Sequence, residues 1–293
     1  MRGGARNWWA GSVETVALLG IGLLTGVTTV LFGFGGGFVA VPVVVWADAA
    51  LGADAMRVAT ATSTLVMVVN AGFATAVTPR RVLRALRGSG RLLLLLAAGA
   101  VAGALGTRVA PPAPVRWAFV TYVALTVVDL LLRPGFRSPR TADSSRSPDS
   151  SRAADAADAG GPRPLPAVFG APIGALAAFL GVGGSVLTVP AMRRAGHTMH
   201  AATALANPLT LAIALPAAAV SLGGSAPLSG ADAHIPLLGL IDPVAAGALL
   251  LGALPVIAVL RRRPPRIPDR VYAWAYIGLL ATVAVAMVPT AWA

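Results

Sequence analysis

The sequence predicts an all-α polytopic membrane protein built from two inverted repeats, and three observations lead to this fold class. Hydrophobic residues make up 56% of the chain and charged residues only 12%, whereas soluble domains carry about 25% charged residues. Several windows reach the ~20 apolar residues that cross a bilayer. A glycine-rich segment also occurs twice, at matching places. We expect each repeat to hold one glycine-broken, re-entrant helical element and three transmembrane helices, about eight membrane segments in total.

The repeat is visible in the order of the residues. Residues 33–42 read GFGGGFVAVP, and residues 181–190 read GVGGSVLTVP. Farther along, MRVATA at 56–61 recurs as MHAATA at 199–204. Paired glycine breaks in corresponding apolar helices indicate a transport site near the bilayer midplane, between the two repeats.

Apolar segments follow in the same order in both halves. They cover 13–50 (with the glycines), 57–77, 92–109 and 115–132, and then 166–190, 200–221, 242–260 and 271–290. The residues between the halves are rich in Ser, Pro, Asp and Arg, so they cannot bury enough apolar surface to offset the entropy of ordering. We predict a first repeat at 1–132, a disordered cytoplasmic linker at 133–165 and a second repeat at 166–293. A phosphorylation or partner-binding role for the linker stays open.

Arginine supplies the whole basic charge of the chain, and its distribution differs between the halves. Five arginines lie in the loop at 78–91 and none in its second-half counterpart, 222–241. Five more lie at 261–270, whose first-half counterpart, 110–114, has none. Because basic loops stay in the cytoplasm, this exchange predicts halves inserted in opposite directions in the cell membrane. It also accounts for the net charge of +12 without a nucleic-acid partner.

The loops satisfy the positive-inside rule only if each glycine-broken element returns to the side of the membrane from which it enters. The basic loops, the linker and the turn at Arg193-Arg194 are then all cytoplasmic. Helical hairpins with full-length arms predict the same sidedness, so the choice between the two stays open.

The glycine runs cannot form ordinary helix, because each glycine destabilises a helix interior by about 0.8–1.0 kcal/mol. In lipid, a break leaves backbone N–H and C=O groups unpaired at several kcal/mol each, so protein or water must satisfy them. Pro42 and Pro190 each remove another donor and are predicted to act as structural helix breaks. Freed amides followed by a helix N-terminus suit an anion, whereas close helix packing is the structural alternative.

Polar side chains in the helices after the breaks extend the candidate site. Hydroxyls and amides hold an oxyanion without burying a fixed charge, although hydrogen bonding between helices is the structural alternative. Thr62 and Ser63 are the strongest of these candidates. The predicted substrate-binding set is Gly33, Gly35, Gly36, Gly37, Thr62, Ser63, Gly181, Gly183, Gly184, Ser185, Thr203 and Asn207.

Ionisable residues give little support for catalysis or for a metal site. The acidic residues near apolar segments, Glu14, Asp129 and Asp242, lie toward segment ends, so a central carboxylate relay for protons is not predicted. His197 and His200 lack neighbouring carboxylates, and the chain has no cysteine. We therefore expect no metal, no cofactor and no enzyme activity. If transport is coupled to protons, the protonated substrate, a histidine or Asp129 must take part.

The paired Gly-x-Gly-Gly motifs, each followed by Val-Pro, and the segment Ala-x-x-Thr-Ser at 59–63 resemble the TauE/SafE family of sulfite and sulfonate exporters. The resemblance covers both halves. It implies a bacterial or archaeal inner-membrane permease for sulfite, sulfoacetate or related organic acids. The family's site residues carry over to the glycines and proline of both motifs and to Thr62 and Ser63.

The sequence departs from the family pattern in the second copy. Ser185 replaces the last glycine, and Leu205-Ala206-Asn207 stands where a second Thr-Ser pair is expected. The leading hypothesis is a permease that moves a small anion by alternating access, with that anion and the lipid bilayer as partners and homo-oligomerisation left open. A passive anion channel and a non-transport scaffold or sensor are the alternatives, and an intramembrane enzyme lacks the residues that it needs.

Overall fold

The computed structural model describes residues 7–86, 88–133, 136, 165–223, 237–263, 265 and 267–292, which form helices and no β-strand. The longer helices in this part of the chain are α1 (Asn7–Phe32), α2 (Gly37–Ala47), α3 (Ala55–Ala76), α4 (Gly90–Val109), α5 (Pro112–Leu132), α6 (Gly170–Leu180), α7 (Ser185–Arg194), α8 (Met199–Leu222), α9 (Pro243–Arg262) and α10 (Asp269–Trp292). Apart from residues 133, 136 and 165, the predicted linker lies outside the described residues.

Six helices are long and apolar enough to cross a membrane: Ala55–Ala76, Gly90–Val109, Ala113–Leu132, Met199–Leu222, Pro243–Arg262 and Asp269–Pro289. Residues 17–32, 37–47 and 167–180 form shorter apolar helices. Large apolar side chains on the outside of the bundle, such as Leu94 and Leu251, are at least 70% exposed, as lipid-facing residues are. The predicted all-α membrane class is confirmed, whereas the inversion of the repeats and the count of eight segments stay predictions.

The prediction that the two prolines break their helices is wrong. Pro42 lies inside α2 and Pro190 inside α7, and the interruptions are confined to residues 33–36 and 181–184. A proline in a membrane helix is tolerated when neighbours satisfy the carbonyl that it leaves unpaired. At Pro190 that carbonyl belongs to Val186, and the hydroxyl of Tyr276 donates to it at 3.4 Å.

The two halves pack against each other so that the main helix pairs have counterparts. α1 packs on α9 as α6 packs on α4, and α3 packs on α9 as α8 packs on α4. α2 packs on α3 as α7 packs on α8, while α3 with α8 and α5 with α10 pair across the halves. Exchanging α1–α5 with α6–α10 therefore reproduces these contacts.

The two central helices, α3 and α8, run antiparallel. Near the start of α3, Arg57 Nη2 donates to Ala110 O at 3.0 Å, at the end of α4. Arg108, in the last turn of α4, donates to Val220 O, in the last turn of α8. The start of α3 thus lies beside the end of α8. We name this side of the molecule the Arg108 end and the other side, where Arg194 pairs with Asp129 of α5, the Arg194 end.

Each glycine-broken element starts and finishes at one end of the molecule. α1 runs parallel to α9, since Gly22 meets Leu249 and Gly26 meets Ala253. Both helices start at the Arg108 end, because the backbone N–H of Asp242, just before α9, donates to Thr62 in the first half of α3. α2 returns to that end, since Asp48, the residue after it, hydrogen-bonds Asp242. α6 runs parallel to α4 in the same way, from the Arg194 end, and α7 returns to that end. The described residues therefore include two hairpins, α1–α2 and α6–α7, whose open ends lie at opposite ends of the helical bundle.

Aromatic side chains fix the position of the first break. The ring centroid of Phe34 lies 5.1 Å from that of Phe38 and 5.1 Å from that of Tyr276 in α10. Phe38 stacks in turn on Phe119 of α5, with centroids 6.1 Å apart. Phe34, Phe38 and Phe119 are fully buried, so the break is held against the paired helices α5 and α10.

Candidate functional site

The first break requires glycine for two separate reasons. Gly33, Gly35 and Gly36 have φ values of 73°, 62° and 86°, in the left-handed region that side chains other than glycine rarely adopt. At Gly36, a Cβ atom would also lie 2.4 Å from Thr25 Cγ2 and 2.8 Å from Asn70 Nδ2. The backbone at Gly36 therefore lies closer to the Asn70 amide than a residue with a side chain at position 36 would allow.

The second break lies against α3, beside Thr60, Ser63 and Met67. Gly181 has φ 68°, and a Cβ atom there would lie 2.9 Å from both Ser63 Oγ and Thr60 Cγ2. Gly183 has φ 74°, and its Cβ would lie 2.8 Å from Met67 Sδ and 3.4 Å from Phe34 O. Since Phe34 belongs to the first break, the two breaks meet at the centre of the molecule.

The helices beside the breaks repeat the same contacts with exchanged partners. Gly33 faces Thr203 and Ala206 of α8 as Gly181 faces Thr60 and Ser63 of α3. Gly35 and Gly183 both lie against Met67 and Thr210, which occupy equivalent positions in α3 and α8. The predicted glycines are thus brought together with α3 and α8, as the repeat in the sequence suggests.

The polar residues that the sequence favoured are engaged with the protein. Thr62 Oγ1 accepts a hydrogen bond from Asp242 N at 2.9 Å. The hydroxyl of Ser63 can donate its one proton to either of two carbonyl oxygens, Thr60 O at 2.8 Å or Gly181 O at 3.0 Å. Thr203 donates to His200 O at 3.1 Å, and Asn207 Nδ2 donates to Thr203 O at 3.2 Å. Ser63 therefore braces the second break directly, while Thr62 links α3 to the start of α9.

Other buried polar atoms beside the breaks have no hydrogen-bond partner. Among the described residues, these are both amide atoms of Asn70 together with Thr210 Oγ1, Ser185 Oγ, Asn207 Oδ1 and Thr60 Oγ1. Asn70, Thr210, Ser185 and Asn207 are 0% exposed. A buried polar group without a partner costs about 1–3 kcal/mol, so these atoms, gathered around two helix breaks, could hydrogen-bond a polar ligand.

The substrate-binding set predicted from the sequence omits Asn70 and Thr210. Helical spacing could have placed both in the set. Asn70 lies seven residues after Ser63, and Thr210 lies seven residues after Thr203, so each pair shares one helix face. A search for polar residues on the face that carries Ser63 and Thr203 would have included both.

The charged residues named by the sequence analysis lie at the ends of the molecule. Asp129 pairs with Arg194 and with Arg133, the latter at 2.9 Å, which ties α5 to α7. Arg193 is 2% exposed and pairs with Asp269 at 2.9 Å, which ties α7 to α10. Asp129 therefore has a structural role in the conformation described.

Aspartates gather at the Arg108 end, outside the membrane-spanning helices. Burial first, and then the charge and hydrogen bond of Asp242, together raise the pKa of Asp48, the residue after α2, from 3.8 to about 7. Asp242 N-caps α9 by accepting from Val244 N at 2.7 Å and Ala245 N at 3.1 Å. The described residues hold no group of three His, Cys, Asp or Glu side chains suited to a metal ion. The carboxyls thus lie where the first hairpin meets the second half.

Comparison with known proteins identifies one family. A family model described as Sulfite exporter TauE/SafE matches residues 18–287. Neither a search of curated proteins nor a search of solved structures found a match. The matched residues run from α1 into α10 and include both glycine breaks.

Proposed function

This chain belongs to the TauE/SafE family of sulfite exporters, and from that premise we propose that it moves a small sulfur-containing oxyanion by alternating access at its two glycine breaks. The family is a class of membrane transporters, and the six apolar spans agree with a multi-pass protein of the cell membrane. Sulfite or an organosulfonate is the proposed substrate.

The observation that carries the proposal is the cluster of unpartnered polar atoms where the breaks meet. Asn70 and Ser185 supply amide and hydroxyl groups beside Gly36 and Gly184, and Thr210 lies against Gly35 and Gly183. These groups are neutral. They can therefore exchange an anion with either end without the desolvation cost of a permanent buried charge.

We propose that the halves are inverted repeats and that the two hairpins are re-entrant. The equivalent helices α3 and α8 run antiparallel, and the hairpins enter from opposite ends. The arginine-rich loops after α3 and α9 lie at the Arg194 end, which the positive-inside rule assigns to the cytoplasm. Alternating access then consists of movement of one hairpin and its neighbours relative to the other.

The topology can be tested directly, because the chain has no cysteine. Pro111→Cys marks the Arg108 end, and Ala85→Cys marks the Arg194 end; both positions are exposed. A membrane-impermeant maleimide added to intact cells is expected to label Pro111→Cys, and to label Ala85→Cys only after permeabilisation. The reverse pattern overturns the proposed orientation, and labelling of both in intact cells overturns the placement of the two ends on opposite faces.

The site can be tested by labelled-sulfite efflux from proteoliposomes. Gly36→Val brings a side chain against Thr25 and Asn70, and Gly184→Val brings one within 2.5 Å of Ile213 Cδ1. Both variants are expected to lower efflux to that of protein-free liposomes. Gly20→Val and Gly278→Val are the matched controls, because a Cβ at either position meets nothing within 4 Å, and both are expected to transport normally.

Undiminished efflux in both site variants overturns the assignment of the breaks as the transport site. The dependence of the efflux rate on sulfite concentration distinguishes a passive channel from alternating access, because only alternating access is expected to saturate. Deletion of residues 138–160 distinguishes a transporter from a scaffold. A transporter is expected to keep its efflux, whereas a scaffold is expected to lose its partner.

A further inference from the structure

A cavity at the Arg108 end contains two arginines. It lies between the start of α3, the end of α4 and the end of α8, and Ala178 of α6 reaches it from the second hairpin. Its polar lining residues are Arg57, Thr60, Thr64, Thr107, Arg108 and Ser221. It has room for about one water molecule, so an oxyanion enters only if the ends of α4 and α8 part.

Each arginine holds the carbonyl end of a helix and keeps a further donor free. Arg57 donates to Ala110 O and Arg108 to Val220 O, contacts that stabilise the negative C-terminal ends of α4 and α8. Capping does not use the whole of either side chain, because Nε of both is buried without a partner. Thr60 Oγ1 is unpartnered as well, in a residue that is only 4% exposed.

The charge in the cavity is positive. Arg57 pairs with Asp54 at 3.3 Å, in the same turn. Arg108 makes no ion pair with any residue that the structure describes. Two guanidinium groups and one carboxylate leave an excess of one positive charge. A guanidinium presents its N–H groups in a planar fork that matches carboxylate, phosphate and sulfonate oxygens.

The cavity leads to the second break. Thr60 lines the cavity and also contacts Gly181, whose Cβ would lie 2.9 Å from Thr60 Cγ2. We propose that Arg57, Arg108 and Thr60 form a second anion-binding site, at the Arg108 end, that takes the oxyanion headgroup of the transported substrate. This site rests on the proposed function, because it holds the anion between the central site and that face of the membrane.

At the Arg194 end, Arg261 of α9 lies at a position equivalent to the lining of this cavity. α9 packs on α1 in the register in which α4 packs on α6, since Gly26 meets Ala253 as Gly174 meets Leu96. By this register Arg261 of α9 corresponds to Ala104, which lines the cavity. Nε and Nη2 of Arg261 are buried and unpartnered. An arginine with free donors thus lies on the way to each glycine break.

The test uses Arg57→Gln and Arg108→Gln, in which an amide replaces the charge. In oriented proteoliposomes, sulfite is offered at one end at a time. With sulfite at the Arg108 end, each variant is expected to raise the half-saturating concentration about tenfold, the loss expected for one charged hydrogen bond. With sulfite at the Arg194 end, the half-saturating concentration of each variant is expected to equal that of the wild type. Arg108→Lys keeps the charge and is expected to recover part of the affinity.

Arg116→Gln is the matched control, because Arg116 lies at the same end and donates to Gly52 O at 2.7 Å but does not line the cavity. It is expected to leave both half-saturating concentrations unchanged. Unchanged values at the Arg108 end in both cavity variants, with wild-type efflux intact, overturn the second site and leave the proposed function standing.

A second measurement separates this site from the proposed function. If wild-type protein moves no sulfite, the binding of methanesulfonate to purified protein is measured by calorimetry, with chloride as the competitor. Binding that Arg108→Gln abolishes and Arg116→Gln preserves supports an anion site without sulfite transport. Equal binding in wild type and Arg108→Gln overturns the site.

Discussion

The two glycine breaks share a backbone path but differ in the side chains around them. Gly36 faces Asn70, whereas Gly184 faces Ile213 at the equivalent position of α8. The first hairpin ends in Val45 and Trp46 where the second ends in Arg193 and Arg194. The two breaks thus present a similar backbone path to the centre of the molecule. A ligand held between the two breaks would therefore meet different side chains on its two sides.

The largest effect is expected when the first break is made like the second. Asn70→Leu replaces the amide by an apolar side chain of similar size, as Ile213 has in α8. Efflux of labelled sulfite is expected to fall to background. Stability in detergent is expected to stay level or rise, because two unpartnered buried groups, at about 1–3 kcal/mol each, are removed.

The combination of lost transport and retained stability separates a ligand residue from a structural one. Ile213→Leu is the control on the second side and is expected to transport normally. Wild-type efflux from Asn70→Leu would contradict the difference between the two breaks.

The next largest effect is expected on stability, from the contacts that anchor the end of the second hairpin. Arg193→Met removes the ion pair with Asp269 and the hydrogen bonds to His197 O and Phe136 O, contacts that Val45 cannot make in the first hairpin. The free energy of unfolding in detergent is expected to fall by about 2–3 kcal/mol, since removing one partner of a buried pair costs about 3–5 kcal/mol and Asp269 is partly exposed.

Arg133→Met is the control for the loss of an exposed arginine. Its side chain is 72% exposed, so the change is expected to stay below about 0.5 kcal/mol. Equal losses in the two variants would mean that the second hairpin is not anchored by Arg193.

A smaller, pH-dependent effect distinguishes the end of the first hairpin. The folded protein holds the proton of Asp48 up to about pH 7, because burial and Asp242 raise its pKa from 3.8. The unfolded chain loses that proton near pH 4. Stability from this group is therefore full at low pH and is lost as the pH rises toward 7. Asp48→Asn, which resembles the protonated form, is expected to lose less stability than the wild type between pH 5 and pH 8 in thermal unfolding.

The second hairpin ends in arginines that stay charged over this range. Arg193→Met is therefore expected to show the pH dependence of the wild type. A wild-type curve that rises from pH 5 to pH 8 would contradict the role given to Asp48.

The smallest effect is expected from restoring the glycine at the second break. Ser185→Gly removes one unpartnered hydroxyl, and the half-saturating concentration of sulfite is expected to rise by about two- to tenfold, the range of one neutral hydrogen bond. An unaltered half-saturating concentration would mean that Ser185 does not contact the substrate.

Much of the helical framework follows from composition and the repeat, but the site chemistry does not. Hydropathy locates α3 and α8 to within a few residues, because apolar length is set by the bilayer. It does not locate the contact of Ser63 with Gly181 O, which depends on how two distant helices meet. The same limit applies to Arg57 and Arg108. Neither arginine stands out in the sequence as a site residue, and only the packing of α3, α4 and α8 places both around one cavity.

The exchange of helices between the halves has a consequence for biogenesis. α1 lies against α9, with Gly22 and Gly26 in contact with backbone that is synthesised near the end of the chain. The ribosome therefore releases α1 into the membrane long before its partner exists, and neither half can complete itself alone. Two separately expressed halves should be degraded singly and should assemble when they are made in the same cell.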